Sequence, residues 1–336
     1  YVEYEGKVVA APSSMRRVPS IFQVAGENQE AVASIGFPGT WPAELLNGFN
    51  LAYGAVPGRL VEAAEHSWER KPADRAAFPE SLYQRALGHY TPIERMDRHD
   101  TSAFFVLNED EFEMLYDLPL GSIYKRENPL RDFAITLQRD RAQVALAEDL
   151  LGEFPLRLVG VHLELPEALQ PVYWRAAYPD HYELAANAYR RYGDAIDACY
   201  RELDSLIGRL IEAAGENAVV CVVGNRGFGN SPAPVTEPGE APRLLPMVLN
   251  ESMLLVYGHG IRQGADIGRA DVIDVTPTLL TALDLPVGEM MDGRVLESAF
   301  TEGFLSTHPR RGTRLYTEDF LLSDERYPSQ IEGADR

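Results

Sequence analysis

The segment that decides the fold class runs from Leu158-Val-Gly-Val-His-Leu163 to Ala218-Val-Val-Cys-Val-Val223, with a helical pattern between them. In that pattern Tyr192, Ile196, Cys199, Leu203, Leu206 and Leu210 recur at three- and four-residue spacing, and Gly215 supplies the stop. The first run is apolar but for His162, and the second is apolar throughout and β-branched. Such runs predict parallel strands covered on both faces. A strand, a helix and a strand in that order predict an α/β protein with a mostly parallel central sheet flanked by helices.

Reading outward, Met253-Leu-Leu-Val-Tyr257 is a second buried-strand pattern, and Asp274-Val-Thr-Pro-Thr-Leu-Leu opens another helix. Asp274 is placed to cap that helix, and Pro277 is tolerated in its first turn. Upstream, a helical stretch runs from Leu137 through Leu151, and Glu30-Ala-Val-Ala-Ser-Ile-Gly36 reads as a short strand bounded by turn residues. From Val56 to Asn128 regular alternation gives way to mixed aromatics, acids and prolines. The expected division is therefore an N-terminal part of the core over 1–55, an inserted cap over 56–130, the C-terminal part of the core over 131–300 and a tail over 301–336. In a parallel sheet the ligand site lies beyond the carboxyl ends of the strands. That points to the loops after Leu163, after Val223 and before Met253.

Composition narrows the function classes. The chain has 336 residues, enough to bury a substantial core, and carries 51 acidic against 31 basic residues for a formal charge of −20. That balance disfavours nucleic acid and anionic membrane surfaces as partners. No run of eighteen apolar residues marks a membrane span. Two cysteines, Cys199 and Cys221, are too few for a disulfide framework and fall in apolar patterns where a small buried side chain fits. They fit a compartment on either side of a membrane, so localisation stays open. The chain begins at Tyr1, which leads us to expect an upstream segment removed or not included.

Several short motifs occur in a telling order. They are Ser13-Ser-Met-Arg-Arg-Val-Pro19, Phe37-Pro-Gly-Thr-Trp-Pro-Ala-Glu44 with Asn47-Gly48, Val219 to Gly229, Tyr257-Gly-His-Gly-Ile-Arg-Gln-Gly264, Asp274-Val-Thr-Pro-Thr278 and Met291-Asp-Gly-Arg-Val-Leu296. In this order they resemble the alkaline phosphatase superfamily, in its type I phosphodiesterase and nucleotide pyrophosphatase branch. The resemblance implies a parallel-rich sheet carrying two divalent metals, zinc in the usual case, at the strand ends, with a Thr or Ser nucleophile between them. Cations of this kind activate the nucleophile and neutralise developing charge, and carboxylates and imidazoles must hold them.

Carried residue by residue onto this chain, the family's ligands are missing. The family's Ser-Asp-His-Gly falls on Gly224-Asn225-Arg226-Gly227, where Asn225 lacks the carboxylate charge and Arg226 places a permanent cation at a ligand position. The Asp and His that follow the earlier strand fall on Glu167 and Pro171, and a further His falls on Val248. The nucleophile belongs to a strand that precedes the resembled part. His162, Glu164 and Glu167 sit close in sequence, but their alternation along a strand does not predict convergence on one ion. No Gly-x-Ser-x-Gly elbow, Walker loop or paired-cysteine motif is present.

These substitutions lead us to expect a catalytically degenerate protein without metal cofactors, retained as a binding or accessory subunit with other protein subunits as partners. Two alternatives stay open. One is a phosphoester or sulfate-ester hydrolase completed by an N-terminal segment outside this chain. The other is a non-catalytic receptor for a phosphorylated or sulfated group, with Arg226 standing in for the lost cation.

Overall fold

The computed structural model describes residues 2–4, 7–9, 13–56, 76–115, 128–182, 184, 186–231, 245–309 and 311. The strands are β1 (Val2–Tyr4), β2 (Lys7–Val9), β3 (Val32–Ile35), β4 (Gly48–Leu51), β5 (Ala77–Phe78), β6 (Leu158–Val161), β7 (Val219–Val223), β8 (Gly227–Asn230), β9 (Pro246–Leu249) and β10 (Leu254–Gly258). The helices are α1 (Ile21–Glu27), α2 (Ser81–His89), α3 (Arg98–Ser102), α4 (Glu109–Glu113), α5 (Pro129–Glu153), α6 (Leu165–Ala177), α7 (Ala186–Tyr192), α8 (Ala195–Ala214), α9 (Val275–Ala282) and α10 (Glu302–Thr307).

The α/β expectation holds in its coarse form. Four strands form one sheet in the order β5-β4-β3-β6, with β3 parallel to both β4 and β6 and only β5 antiparallel. Period-two alternation sorts its side chains. Ala33, Ile35, Phe49 and Leu51 pack with Val159 and Val161 against Leu82 and Ala86 of α2 and Leu146 and Leu150 of α5. Val32 and Leu158 face the other way, onto Phe22, Val24 and Ala25 of α1 and Leu280 of α9. Burying a sheet on both faces is what Val-Ala-Ser-Ile and Leu-Val-Gly-Val are built for.

Helix α5 is longer than its apolar pattern predicts, because Asn128 caps it by accepting from the Arg131 N–H and Pro129 occupies the first turn. Its C-terminal half packs on the sheet. Its N-terminal half joins a second core of Phe104, Phe105, Phe133, Leu165, Tyr173, Trp174, Ile196 and Cys199. Within the expected cap region, β5 extends the main sheet and α2 packs on it, while Ile93 to Leu115 feed this second core. Residues 57–75 and 116–127 of that region, and 312–336 of the expected tail, lie outside the described residues.

Three local readings change. The long helix of the sequence pattern divides at Gly193-Asp194 into α7 and α8, and only the second ends at Gly215, which takes the left-handed φ of 80°. The expected loop after Leu163 is short, since α6 begins at Leu165 with Pro166 in its opening turn and Pro171 inside it. The run Val219–Val223 is not a parallel strand covered on both faces. It pairs antiparallel with β10 in a separate ribbon, Leu254 opposite Val223 and Gly258 opposite Val219. On β10, Leu255 is 56% and Tyr257 63% exposed.

The motifs near the C-terminus brace one another. Asp274 does not cap α9 with its side chain; its carboxylate accepts the N–H groups of Asp271 at 3.0 Å and Arg294 at 2.8 Å. The Thr278 Oγ1 accepts the Leu296 N–H at 3.0 Å and donates to the Asp274 carbonyl at 2.6 Å. Gly293 sits so close that an added Cβ would lie 1.9 Å from the Ile273 carbonyl oxygen.

Candidate functional site

The parallel strands β3, β4 and β6 end together, and the residues just past them are Gly36 and Phe37, Tyr53, and His162 to Glu164. Facing them, α5 presents a buried polar stripe, Thr136, Arg139, Asp140 and Gln143, at helical spacing. Arg139 is 1% and Glu164 6% exposed, and the two form an ion pair. The Tyr53 hydroxyl donates to Glu164 Oε1 at 2.6 Å. Asp140, fully buried, accepts the N–H groups of Glu164 at 2.9 Å and Leu165 at 2.8 Å through Oδ2, so it closes the first turn of α6.

The electrostatics follow from that burial. Desolvation pushes the Asp140 carboxyl up to about 7 against the opposing pull of Arg139 and the two amides. Desolvation also holds the His162 imidazole below its ordinary value, so it is neutral at neutral pH. The rings of Phe37 and Tyr53 lie 5.9 and 6.2 Å from His162. Buried atoms without a hydrogen-bond partner include Asp140 Oδ1, Gln143 Oε1, His162 Nδ1 and Arg139 Nε. The cluster binds one helix start to three strand ends. Its one guanidinium pairs with Glu164, and Asp140 is held by two backbone amides, so the two carboxylates do not converge on a divalent-ion cage.

The residues singled out from the family pattern lie elsewhere. Glu167 and Pro171 are exposed, one turn apart on α6. Asn225 and Arg226 are exposed in the turn between β7 and β8. Val248 is 46% exposed on β9, opposite Phe228 of β8. The β8–β9 hairpin does reach α6: Trp174 Nε1 donates to Asn230 Oδ1 at 2.8 Å, and the Trp174 ring meets Phe228 at 5.1 Å.

Of these five residues only Glu167 offers a carboxylate. Pro171 and Val248 have no donor, and Arg226 brings like charge. Among the described residues no three His, Cys, Asp or Glu side chains gather to hold a metal ion. These five positions therefore do not fit a pair of divalent cations.

Glu164 and His162 were noticed in the sequence as neighbours. Arg139, Asp140, Gln143 and Tyr53 were not. The signal that could have found them is four polar side chains at positions 136, 139, 140 and 143 of an otherwise apolar helix face. Among the described residues no helix is long and apolar enough to cross a membrane. Comparison of the chain with protein-family models, with characterised proteins and with solved structures returns no match.

Proposed function

We propose that this chain is a catalytically degenerate, alkaline-phosphatase-like protein of the type I phosphodiesterase branch, kept as a binding or accessory subunit for other proteins. The observation that carries the binding half is the β7–β10 ribbon. Its residues Val219–Val223 and Leu254–Tyr257 include no charge in a chain of net charge −20, and it leaves Leu255 and Tyr257 open to solvent. Neighbouring exposed apolar side chains on one face of an uncharged strand pair fit a protein-interaction surface. The non-catalytic half rests on donor chemistry at Pro171, Asn225, Arg226 and Val248, where the family pattern needs metal ligands.

The test is metal analysis of the purified chain together with an assay on an aryl phosphodiester. The expected result is neither stoichiometric zinc or manganese nor hydrolysis above the blank. Near-stoichiometric metal together with hydrolysis would overturn the reading and favour the hydrolase alternative.

A second reading draws on Arg226, which is exposed at the end of β7. A guanidinium in that place could hold a phosphorylated or sulfated group without turning it over. An Arg226→Ala variant with unchanged affinity for inorganic phosphate and sulfate disposes of it.

A further inference from the structure

We infer that Asp140 is a proton-controlled latch between α5 and α6: protonated, it seats the first turn of α6, and ionised, it becomes a second buried anion beside a single guanidinium, which loosens that seam. The geometry supplies the imbalance. Asp140 and Glu164 are two buried carboxylates beside one guanidinium, that of Arg139, and the guanidinium is committed to Glu164. Asp140 accepts hydrogen bonds from two backbone N–H groups, both on Oδ2, its Oδ1 is buried without a partner, and the one positive charge near it is the guanidinium already paired with Glu164.

The groups facing Asp140 supply no further positive charge. From α5 comes Arg139; from the turn between β6 and α6 comes Glu164, whose other neighbour is the neutral His162, with Glu167 beyond it. From α8 comes Cys199, a buried thiol pushed up to about 12 and therefore uncharged. Glu202, further along α8, is taken by Arg141 at 2.7 Å. A proton on Oδ1, the oxygen no amide uses, cancels the charge and keeps both bonds to Oδ2. That exchange is favoured because an isolated ion in the interior costs far more than a neutral carboxyl.

The sign follows from linkage. The folded carboxyl titrates near 7, above its ordinary 3.8, so folding takes up a proton between those values. Stability falls as pH rises through that window and levels off above it. The effect reaches beyond the cluster, because α6 also carries Trp174, which holds β8 through Asn230 and Phe228.

Amide hydrogen exchange on the full chain, corrected for intrinsic rates, tests the latch at about pH 6 and about pH 8.5. Protection of the first-turn amides of α6 is expected to fall about tenfold or more between the two, while Leu206–Ala214 of α8 stays unchanged. His162→Gln keeps this drop. Asp140→Asn removes it, since the amide oxygen accepts both N–H groups at either pH. Protection that ignores pH in the native chain, or the same pH profile in Asp140→Asn, overturns the inference. Should Asp140→Asn fail to fold, carboxyl carbon NMR on the native chain decides: a midpoint near neutrality supports the latch, and one near the ordinary aspartate value overturns it.

Discussion

Arg139 and Glu164 offer the sharpest test of how the strand ends are held. Both are almost wholly buried, and they sit on α5 and at the start of α6, so their pairing joins two elements that share no sequence neighbourhood. Removing one partner leaves the other as a buried unpaired charge, which costs about 3–5 kcal/mol. Arg139→Met leaves Glu164 with only the Tyr53 hydroxyl, and Glu164→Gln leaves the guanidinium unpaired. For a chain of 336 residues, an unfolding entropy of about 2 cal/mol/K per residue makes each kcal/mol worth about 1.4 °C. Each single variant is therefore expected to lose about 4–7 °C in thermal midpoint.

The double variant Arg139→Met/Glu164→Gln removes both charges. It should lose less than the sum of the singles by about 2 kcal/mol or more. Urea unfolding followed by circular dichroism gives all four corners of the cycle. Run near pH 5.5, below the Asp140 value of about 7, it reads the pair without the third charge. The coupling should survive 1 M salt, unlike that of the exposed Arg98–Glu109 pair, because salt screens only what it can reach. Additivity within about 0.5 kcal/mol would refute the claim that Arg139 and Glu164 act as a unit.

Other substitutions probe the frame and the ribbon. Gly293→Ala must displace the Ile273 backbone, since its Cβ would stand 1.9 Å from that carbonyl oxygen, and a loss of about 2 kcal/mol or more is expected in urea unfolding. Gly208→Ala, on α8 with open space around it, should instead gain up to about 1 kcal/mol; a loss would refute the account of α8 as an ordinary helix there. Leu255→Glu with Tyr257→Glu should leave stability within about 0.5 kcal/mol and lower binding of a hydrophobic dye. A large fall in thermal midpoint would mean that the ribbon face is packed rather than open.

How much was legible in the sequence depends on which force decides each element. β3 and β6 were readable because short, mostly apolar runs packed on both faces, β3 fully buried and β6 half-buried, leave a composition signal whatever they pair with. α8 was readable from its three- and four-residue spacing, and its end from Gly215. The break before it was hidden, since Tyr192 and Ile196 stay in phase across Gly193. α6 was hidden for the opposite reason. Two prolines argue against a helix, and it is the closure of its first turn by Asp140, twenty-five residues upstream of Leu165, that satisfies the amides there. A capping group so distant leaves no local motif. The same holds for the site: Tyr53, Arg139 and Glu164 meet only because three strands end, and α6 begins, against the middle of α5.

The ribbon is where local and global information part. Val219–Val223 reads as the interior of a sheet, yet among the described residues it is paired along one edge only, and its partner β10 turns Leu255 and Tyr257 outward. Edge strands in folded proteins are ordinarily guarded by charge or proline, and neither lies within Val219–Val223 or Leu254–Tyr257. The proposed accessory role would account for an edge left unguarded in this way. If a partner is seated on this ribbon, as proposed, the absence of charge within Val219–Val223 and Leu254–Tyr257 spares it there the repulsion that the acidic chain would otherwise bring.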